Sequence, residues 1–289
     1  MDHLARVASA RSTRMTGTHS STAQTRALAV QDLPDLLNLS CAAGWNQTQD
    51  DWRMLLDLEP EGCFGVEIDG NIIATTTLLR HGRQLAWIGM VLTHPQFRHR
   101  GFARQLITRA LERARDLRIQ TVKLDATTEG QHLYESFGFR NEQSIERWVR
   151  KGILEQHAFA PNSVAYPYDI DTEACGYDRS ALMHRLFERS CALGPPSTYL
   201  LYRPGRVNAY LGPCVAQTAP DARRLIATAL RNNPQCGWYW DLLPQNEEAV
   251  TIASGFGFTR ERLLTRMILG PELRGREQWV YAIAGFELG

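Results

Sequence analysis

Between Thr93 and Leu106 the chain reads THPQFRHRGFARQL, and within it Arg98, Arg100 and Arg104 surround Gly101 and Ala103. Guanidinium groups make charge-assisted hydrogen bonds to phosphate oxygens. A glycine and a small alanine let the backbone approach an anion with no Cβ in the way. If the segment opens a helix, unpaired N–H groups and the positive end of the helix dipole strengthen that attraction. Alone, the pattern is equally a glycine turn among solvated arginines, so its context has to decide. About thirty residues on, LYESFGF carries Tyr134, a phenol that stays protonated at neutral pH and can donate a proton. His94 and Asp125 lie near in sequence, but a histidine before a proline is more often a turn residue, and Asp125 reads as a strand-end cap.

The elements that must position these residues follow from periodicity. Leu33, Leu36, Leu37 and Leu39 form a short helical cluster that breaks at Gly44. Thr48 with Asp51 three residues on predicts the start of a second helix, whose apolar face is Trp52, Leu55 and Leu56. Alternation on both sides of Asp69-Gly70-Asn71 predicts a hairpin, and LAWIGMVLT a third strand ending at His94-Pro95. From Phe102 the period switches to that of an amphipathic helix of about four turns. IQTVKLDA then reads as a strand, GQHLYESFGF as a short helix closed by Gly138, and RWVRKG as one more strand. The arginine turn therefore sits between a strand and a helix, where an anion-binding turn belongs.

A second module repeats this order. RVNAYLGPCVA reads as a strand, APDARRLIATAL as a helix, CGWYWDLL as a strand and NEEAVTIASGFGF as a helix. Aligning Gly138 with Gly257 puts Phe139 on Phe258, Tyr134 on Ala253 and Thr127 on Asn246, the mark of a degenerate internal duplication. The second module has VAQTAPDARRL in place of the arginine turn, with no glycine, and its Pro220 suits a helix start without any ligand. In the same half, Asp171 and Arg179 read as a structural pair more readily than as a substrate clamp.

With 289 residues, 44% of them hydrophobic and 22% charged, the chain can bury a sizeable core in two units of ordinary size. A formal net charge of +1 argues against a whole-surface binder of nucleic acid or membrane, and no run reaches the roughly 18 apolar residues of a membrane helix. The six cysteines are scattered without a CxxC pair, which fits reduced thiols in a cytoplasmic protein and no metal site. Residues 1–25, rich in Ser, Thr and Arg with one acid, read as a disordered tail. The same composition has the look of a transit segment, or of a tail ahead of a start at Met15.

Arg98-His99-Arg100-Gly101-Phe102-Ala103 matches the pattern [Q/R]xxGx[G/A], preceded by a strand ending in Leu92-Thr93-His94-Pro95. Leu133 to Phe139 matches LYExxGF. On these residues the stretch from about Ile72 to Phe139 resembles the GNAT superfamily of acyl-CoA-dependent N-acetyltransferases, and the whole chain resembles bacterial acetyltransferases built from two such modules. The resemblance implies an α/β fold of α+β type, with a mixed, mostly antiparallel sheet flanked by helices and a splayed central strand pair. It divides the chain into a tail (1–25), a catalytic GNAT domain (26–155), a connector (156–178) and a degenerate second GNAT-like domain (179–289).

It further implies that acetyl-CoA, the acyl donor, is bound by Val91, Leu92 and Thr93 along its pantetheine arm and by Arg98, His99, Arg100, Gly101, Phe102, Ala103 and Arg104 at its pyrophosphate. Tyr134 would protonate the leaving thiolate. The acceptor would be a primary amine of a small molecule or amino acid, with Trp45 and Asp51 shaping its pocket, whereas Trp52 belongs to the core. The family's usual Glu and Asn beside the site fall by spacing on Val122 and Thr127, which leaves the general base to water or to a carboxylate from elsewhere. Those departures also keep open a CoA-binding regulatory or interaction protein without chemistry. A protein lysine or N-terminal acetyltransferase is the remaining alternative, and a homodimer is left open.

Overall fold

A computed structural model describes residues 22–153, 159–162, 166–195 and 197–289; residues 1–21, most of the stretch read as a tail, lie outside the described residues. Strand β1 (Gln24–Ala27) pairs antiparallel with β2 (Cys63–Ile68), so Gln24 and Thr25, grouped with the tail by composition, belong to the sheet. Between them, α1 (Leu33–Ala42) buries Leu33, Leu36 and Leu39, and Gly44 ends the turn that follows with φ 69°. Helix α2 (Gln49–Leu58) starts in a reciprocal cap: the Thr48 hydroxyl accepts from the Asp51 N–H, and the Asp51 carboxylate accepts from the Thr48 N–H at 2.8 Å. Asp69 and Gly70, both at positive φ, turn β2 into β3 (Asn71–His81), as the hairpin signal requires.

β4 (Leu85–Thr93) leads through the arginine turn into α3 (Phe102–Asp116), which buries Leu106, Ile107, Ala110, Leu111 and Ala114 against β2, β3 and β4. β5 (Thr121–Ala126), α4 (Thr128–Glu135) and β6 (Arg140–Arg150) follow. β6 begins well before RWVRKG. The expected connector holds a helix, α5 (Tyr168–Cys175), and α6 (Ser180–Arg189) comes next. β7 (Cys191–Leu193), β8 (Tyr199–Arg203), β9 (Ala209–Val215), α7 (Ala219–Asn232), β10 (Trp238–Leu242), α8 (Glu247–Gly255), β11 (Thr259–Leu269) and β12 (Val280–Ala282) complete the chain. All six cysteines are free thiols.

One continuous sheet runs in the order β1-β2-β3-β4-β5-β11-β6-β10-β9-β8-β7, with β12 on β9. Among the described residues only β4 with β5 and β9 with β10 are parallel. These pairs correspond in the duplication, and each lacks its own module's next strand. β6 follows α4 yet pairs with β10, while β11 follows α8 yet pairs with β5. The two exchanged strands then pair antiparallel with each other at the centre. The helical layer is shared as well: Leu36 and Trp52 pack in one cluster with Leu186 and Tyr199.

Two buried ion pairs seal the exchange. Arg266 of β11 donates to both oxygens of Asp125 on β5 at 2.9 and 3.0 Å, and Arg147 of β6 to both oxygens of Asp241 on β10 at 2.7 and 2.6 Å. Asp125 is therefore a cross-strand partner rather than a strand-end cap. Burial opposes the charge on Arg266, but the facing Asp125 carboxylate holds its pKa above the ordinary value. Asp171 and Arg179 form a third such pair, fully buried and bidentate, with Tyr166 and Tyr199 also donating to the carboxylate.

Removing one member of a buried pair strands the other charge. Arg266→Ala is expected to cost about 3–5 kcal/mol in urea unfolding, while Arg266→Met combined with Asp125→Leu recovers most of that loss. An Arg266→Ala protein as stable as the wild type would mean that the pair does not hold the exchanged strand.

Candidate active site

β4 and β5 pair only at Leu85–Trp87 against Thr121–Lys123. Beyond Trp87 they separate, which is the splayed pair expected. A bulge helps drive the separation: Met90 and Val91 of β4 lie opposite the single residue Thr76 of β3, and Met90 takes φ 49°. Thr75 donates to the Met90 carbonyl at 2.8 Å, tying the bulge to β3 and leaving the other edge of β4 open. A cavity of about 570 Å³ occupies the gap.

Val91, Leu92, Thr93, Arg98, His99, Gly101, Phe102, Ala103, Arg104, Tyr134 and Trp45 all line this cavity. Arg100 does not: its guanidinium donates to Gln96 O at 3.1 Å and stacks over the Phe97 ring. Asp51 does not line it either. Its carboxylate is taken up by the α2 cap, with Arg189 3.6 Å away, and it is 3% exposed. His94 is the turn residue expected, with Nδ1 accepting from the Gln96 N–H at 3.4 Å.

The arginine turn has open donors. Gly101 is the N-cap of α3 at φ 84° and supplies no side-chain cap, so the first amides of α3 face out unpaired. His99 also takes a positive φ, 62°, which curls the loop. A Cβ at Gly101 would meet nothing within 4 Å, so the concave side of the turn is open. Arg98, Arg100 and Arg104 have no carboxylate partner among the described residues; Arg98 Nε donates to Thr93 O at 3.4 Å, and Arg104 donates to Ser136 Oγ at 2.9 Å and lies over the Phe137 ring. An uncapped helix start ringed by unpaired guanidinium groups is an anion-binding arrangement.

At the other wall, α4 is capped by the Thr127 side chain, which accepts from the Gly130 N–H, while Val122 is packed in the core. Tyr134 is 7% exposed and lies edge-on to Phe139. Burial pushes its hydroxyl pKa up, so it remains protonated. Gly130 leaves the Tyr134 ring room, since a Cβ there would sit in tight contact 3.1 Å from it.

The cavity also has lining residues that local sequence reading missed: Arg147, Arg262, Leu264, Phe286 and Glu287. The first three lie on the exchanged strands, and the offset that aligns Gly138 with Gly257 also aligns Arg147 with Arg266, a signal of their shared place. Phe286 and Glu287 belong to the segment 283–289, which lies along β4. Trp87 Nε1 donates to Phe286 O and His81 Nε2 to Leu288 O, each at 2.9 Å. His81 stays neutral there because burial pushes its pKa down to about 3. Trp45 is pinned from the same side, its carbonyl accepting from Arg206 at 2.6 and 2.9 Å.

Residues 31–139 match the family model described as Acetyltransferase (GNAT) family, and residues 168–282 match that described as Acetyltransferase (GNAT) domain. The chain belongs to the GNAT acetyltransferase family. It is a tandem GNAT protein, and acyl transfer from a CoA thioester is the chemistry of the family. It is 27% identical over 207 residues to the uncharacterized N-acetyltransferase YitH of Bacillus subtilis, covering 66% of this chain and 72% of that protein. It is 24% identical over 273 residues to the holothin acyltransferase of a Pseudoalteromonas species, covering 86% and 88%.

A solved structure from Pyrococcus horikoshii, assigned there as a candidate acetyltransferase, superposes with a TM-score of 0.80 at 19% identity, covering 92% of this chain and 96% of that one. A tandem GNAT protein from the clavulanic acid biosynthesis pathway gives 0.59 at 16%, covering 87% and 100%.

The two GNAT modules differ at the helix start that follows the parallel strand. In the second, the Thr218 side chain accepts from the Asp221 N–H, and the Asp221 carboxylate, 2.8 Å from Arg224, sits in the first turn of α7. That start already has a side-chain cap and a carboxylate at the positive end of its dipole, so it offers an anion less than the uncapped start of α3 does. Among the described residues no group of His, Cys, Asp and Glu could hold a metal ion, and no helix is long and apolar enough to cross a membrane.

A Cβ at Gly89 would lie 2.6 Å from Glu287 O. Gly89→Ala is therefore expected to displace the segment 283–289 from β4 and to lower stability by about 1–3 kcal/mol, measured by thermal unfolding. An unchanged melting temperature would mean that the segment is not seated on β4.

Proposed function

We propose that the protein transfers the acetyl group of acetyl-CoA to a primary amine of a small molecule or amino acid, by direct attack of the amine on the thioester. The observation that carries this reading is a single cavity bordered by the uncapped α3 turn, the open edge of β4 and the buried Tyr134. Backbone amides of α3 with Arg98 and Arg104 hold the pyrophosphate, and His99, Gly101, Phe102 and Ala103 form the concave wall against it. Arg100, turned onto Phe97, adds only longer-range charge. Val91, Leu92 and Thr93 present free backbone groups of β4 to the pantetheine arm.

Bound acetyl-CoA supplies an activated acyl carbon. The protein stabilises the charge that develops on the carbonyl oxygen through N–H groups fixed in the bulged strand. Tyr134, kept protonated by burial, gives its proton to the departing sulfur. Trp45 walls the acceptor end, and Asp51 acts behind it by fixing the start of α2.

Tyr134→Phe is expected to lower kcat by about 10²-fold or more in a thiol-release assay over an amine panel, with acetyl-CoA Kd changed by less than about threefold. A Phe variant at full rate would remove Tyr134 from the acid role. Gly101→Val places a β-branched residue at φ 84° and is expected to abolish acetyl-CoA binding in a folded protein. Unchanged Kd in that variant would move the pyrophosphate elsewhere.

A further inference from the structure

Val122 in the core and Thr127 in the α4 cap leave the reaction without a proton acceptor from the first module. Three carboxyl groups line the cavity: Asp125, Glu129 and Glu287. Asp125 gives both oxygens to Arg266, and Glu129 is exposed in the first turn of α4. Glu287 is different. It is 5% exposed and forms no ion pair among the described residues.

Its position is set by the backbone on both sides. The carbonyls of Phe286 and Leu288 accept from Trp87 and His81, and Gly89 admits the Glu287 backbone onto β4 where any other residue would collide. Gly89 directly precedes the bulged Met90, at the point where β4 turns its open edge to the cavity. The groups facing the carboxylate come from several elements: Arg203 on β8, Tyr210 on β9, Arg147 on β6 and Asp51 on α2, while the Gln47 amide, which lines the same cavity, donates to the Tyr210 hydroxyl at 3.3 Å. Arg147 is already committed to both oxygens of Asp241. Trp45 lines the same cavity with an aromatic ring of the kind that suits a cation, while the Phe286 ring already carries the Arg147 guanidinium, 4.6 Å from its centroid.

We propose that Glu287, brought to the first module's cavity by the last segment of the second, receives the ammonium group of the acceptor and takes its proton as general base. This rests on the reading of the site as an amine acetyltransferase. Burial pushes the Glu287 pKa above its ordinary value against the pull of Arg203, and Asp51 pushes it the same way. A carboxylate raised toward neutrality is the stronger base.

In the step, one ammonium proton passes to a Glu287 oxygen and from there to water. The freed nitrogen lone pair forms the C–N bond, and the C–S bond breaks. The sulfur takes the Tyr134 proton, and the second proton lost from nitrogen returns to the Tyr134 phenolate. The balance is one amide, one CoA thiol and one proton released to solvent.

The test uses the full chain with acetyl-CoA and a panel of primary amines: lysine, tyramine, histamine and spermidine. Glu287→Gln is expected to lower kcat by about 100-fold near neutral pH and to remove the acidic limb of the kcat profile, with acetyl-CoA Kd within about threefold. Glu287→Asp is expected to recover part of the rate and to keep the limb. A Gln variant within about threefold of the wild-type rate and with the same profile would overturn the proposal while leaving the acetyltransferase reading intact.

A wild-type protein that binds acetyl-CoA but acetylates no amine would overturn that reading and this proposal with it. The wild type gives a second test that needs no variant. The N-trimethyl derivative of the amine that reacts is expected to inhibit competitively and to lose affinity as pH falls and Glu287 is protonated. Inhibition independent of pH from about 4 to 8 would also overturn the proposal.

Discussion

The antiparallel contact between β6 and β11 is the constraint from which the rest of the molecule follows. Each strand leaves the module that encodes it and completes the sheet of the other, so neither β5 nor β10 has a second neighbour without the opposite half. Long-range pairing of this kind brings a closure entropy, and it is offset here by burial of Ile145, Leu264, Met267 and Ile268 and by two bidentate Arg–Asp pairs. Because the two halves share strands rather than a surface, the segment 283–289 is delivered to β4 as part of the same framework.

That framework makes two similar modules unequal. Both carry a strand, a turn and an amphipathic helix, but α3 begins without a side-chain cap among unpaired arginines, and α7 begins with Thr218 and an acidic first turn. A net charge of only +1 goes with so basic a turn because 31 acidic residues elsewhere in the chain balance the 32 Lys and Arg. The positive field is confined to one helix start, where desolvation by the cavity walls strengthens it. One module keeps an anion-binding cavity, and the other contributes walls and side chains to it.

What could be read from the sequence was what local chemistry decides. The Asp69-Gly70 turn, the change of period at Phe102, the Thr48 cap and the arginine turn each depend on neighbours within a few residues. β11 and the first half of β6 were not legible. Residues such as Thr259 to Leu263 are exposed and mostly polar, and they are strand because they pair across the exchange. Asp51 is legible as the capping partner of Thr48, and that cap takes up the carboxylate that a pocket role would need. Glu287 has no local signal, since its place is set by Gly89 and Trp87 on β4 and His81 on β3, all far away in sequence.

The central claim is a single acyl-CoA site, built on the first module and closed by the last segment of the second. Hydrogen–deuterium exchange of the full chain with and without acetyl-CoA tests it most directly. The account predicts slowed exchange over 88–104 and 283–289, with the start of α7 at 216–222 unchanged. Protection at the start of α7, or none over 88–104, would contradict it.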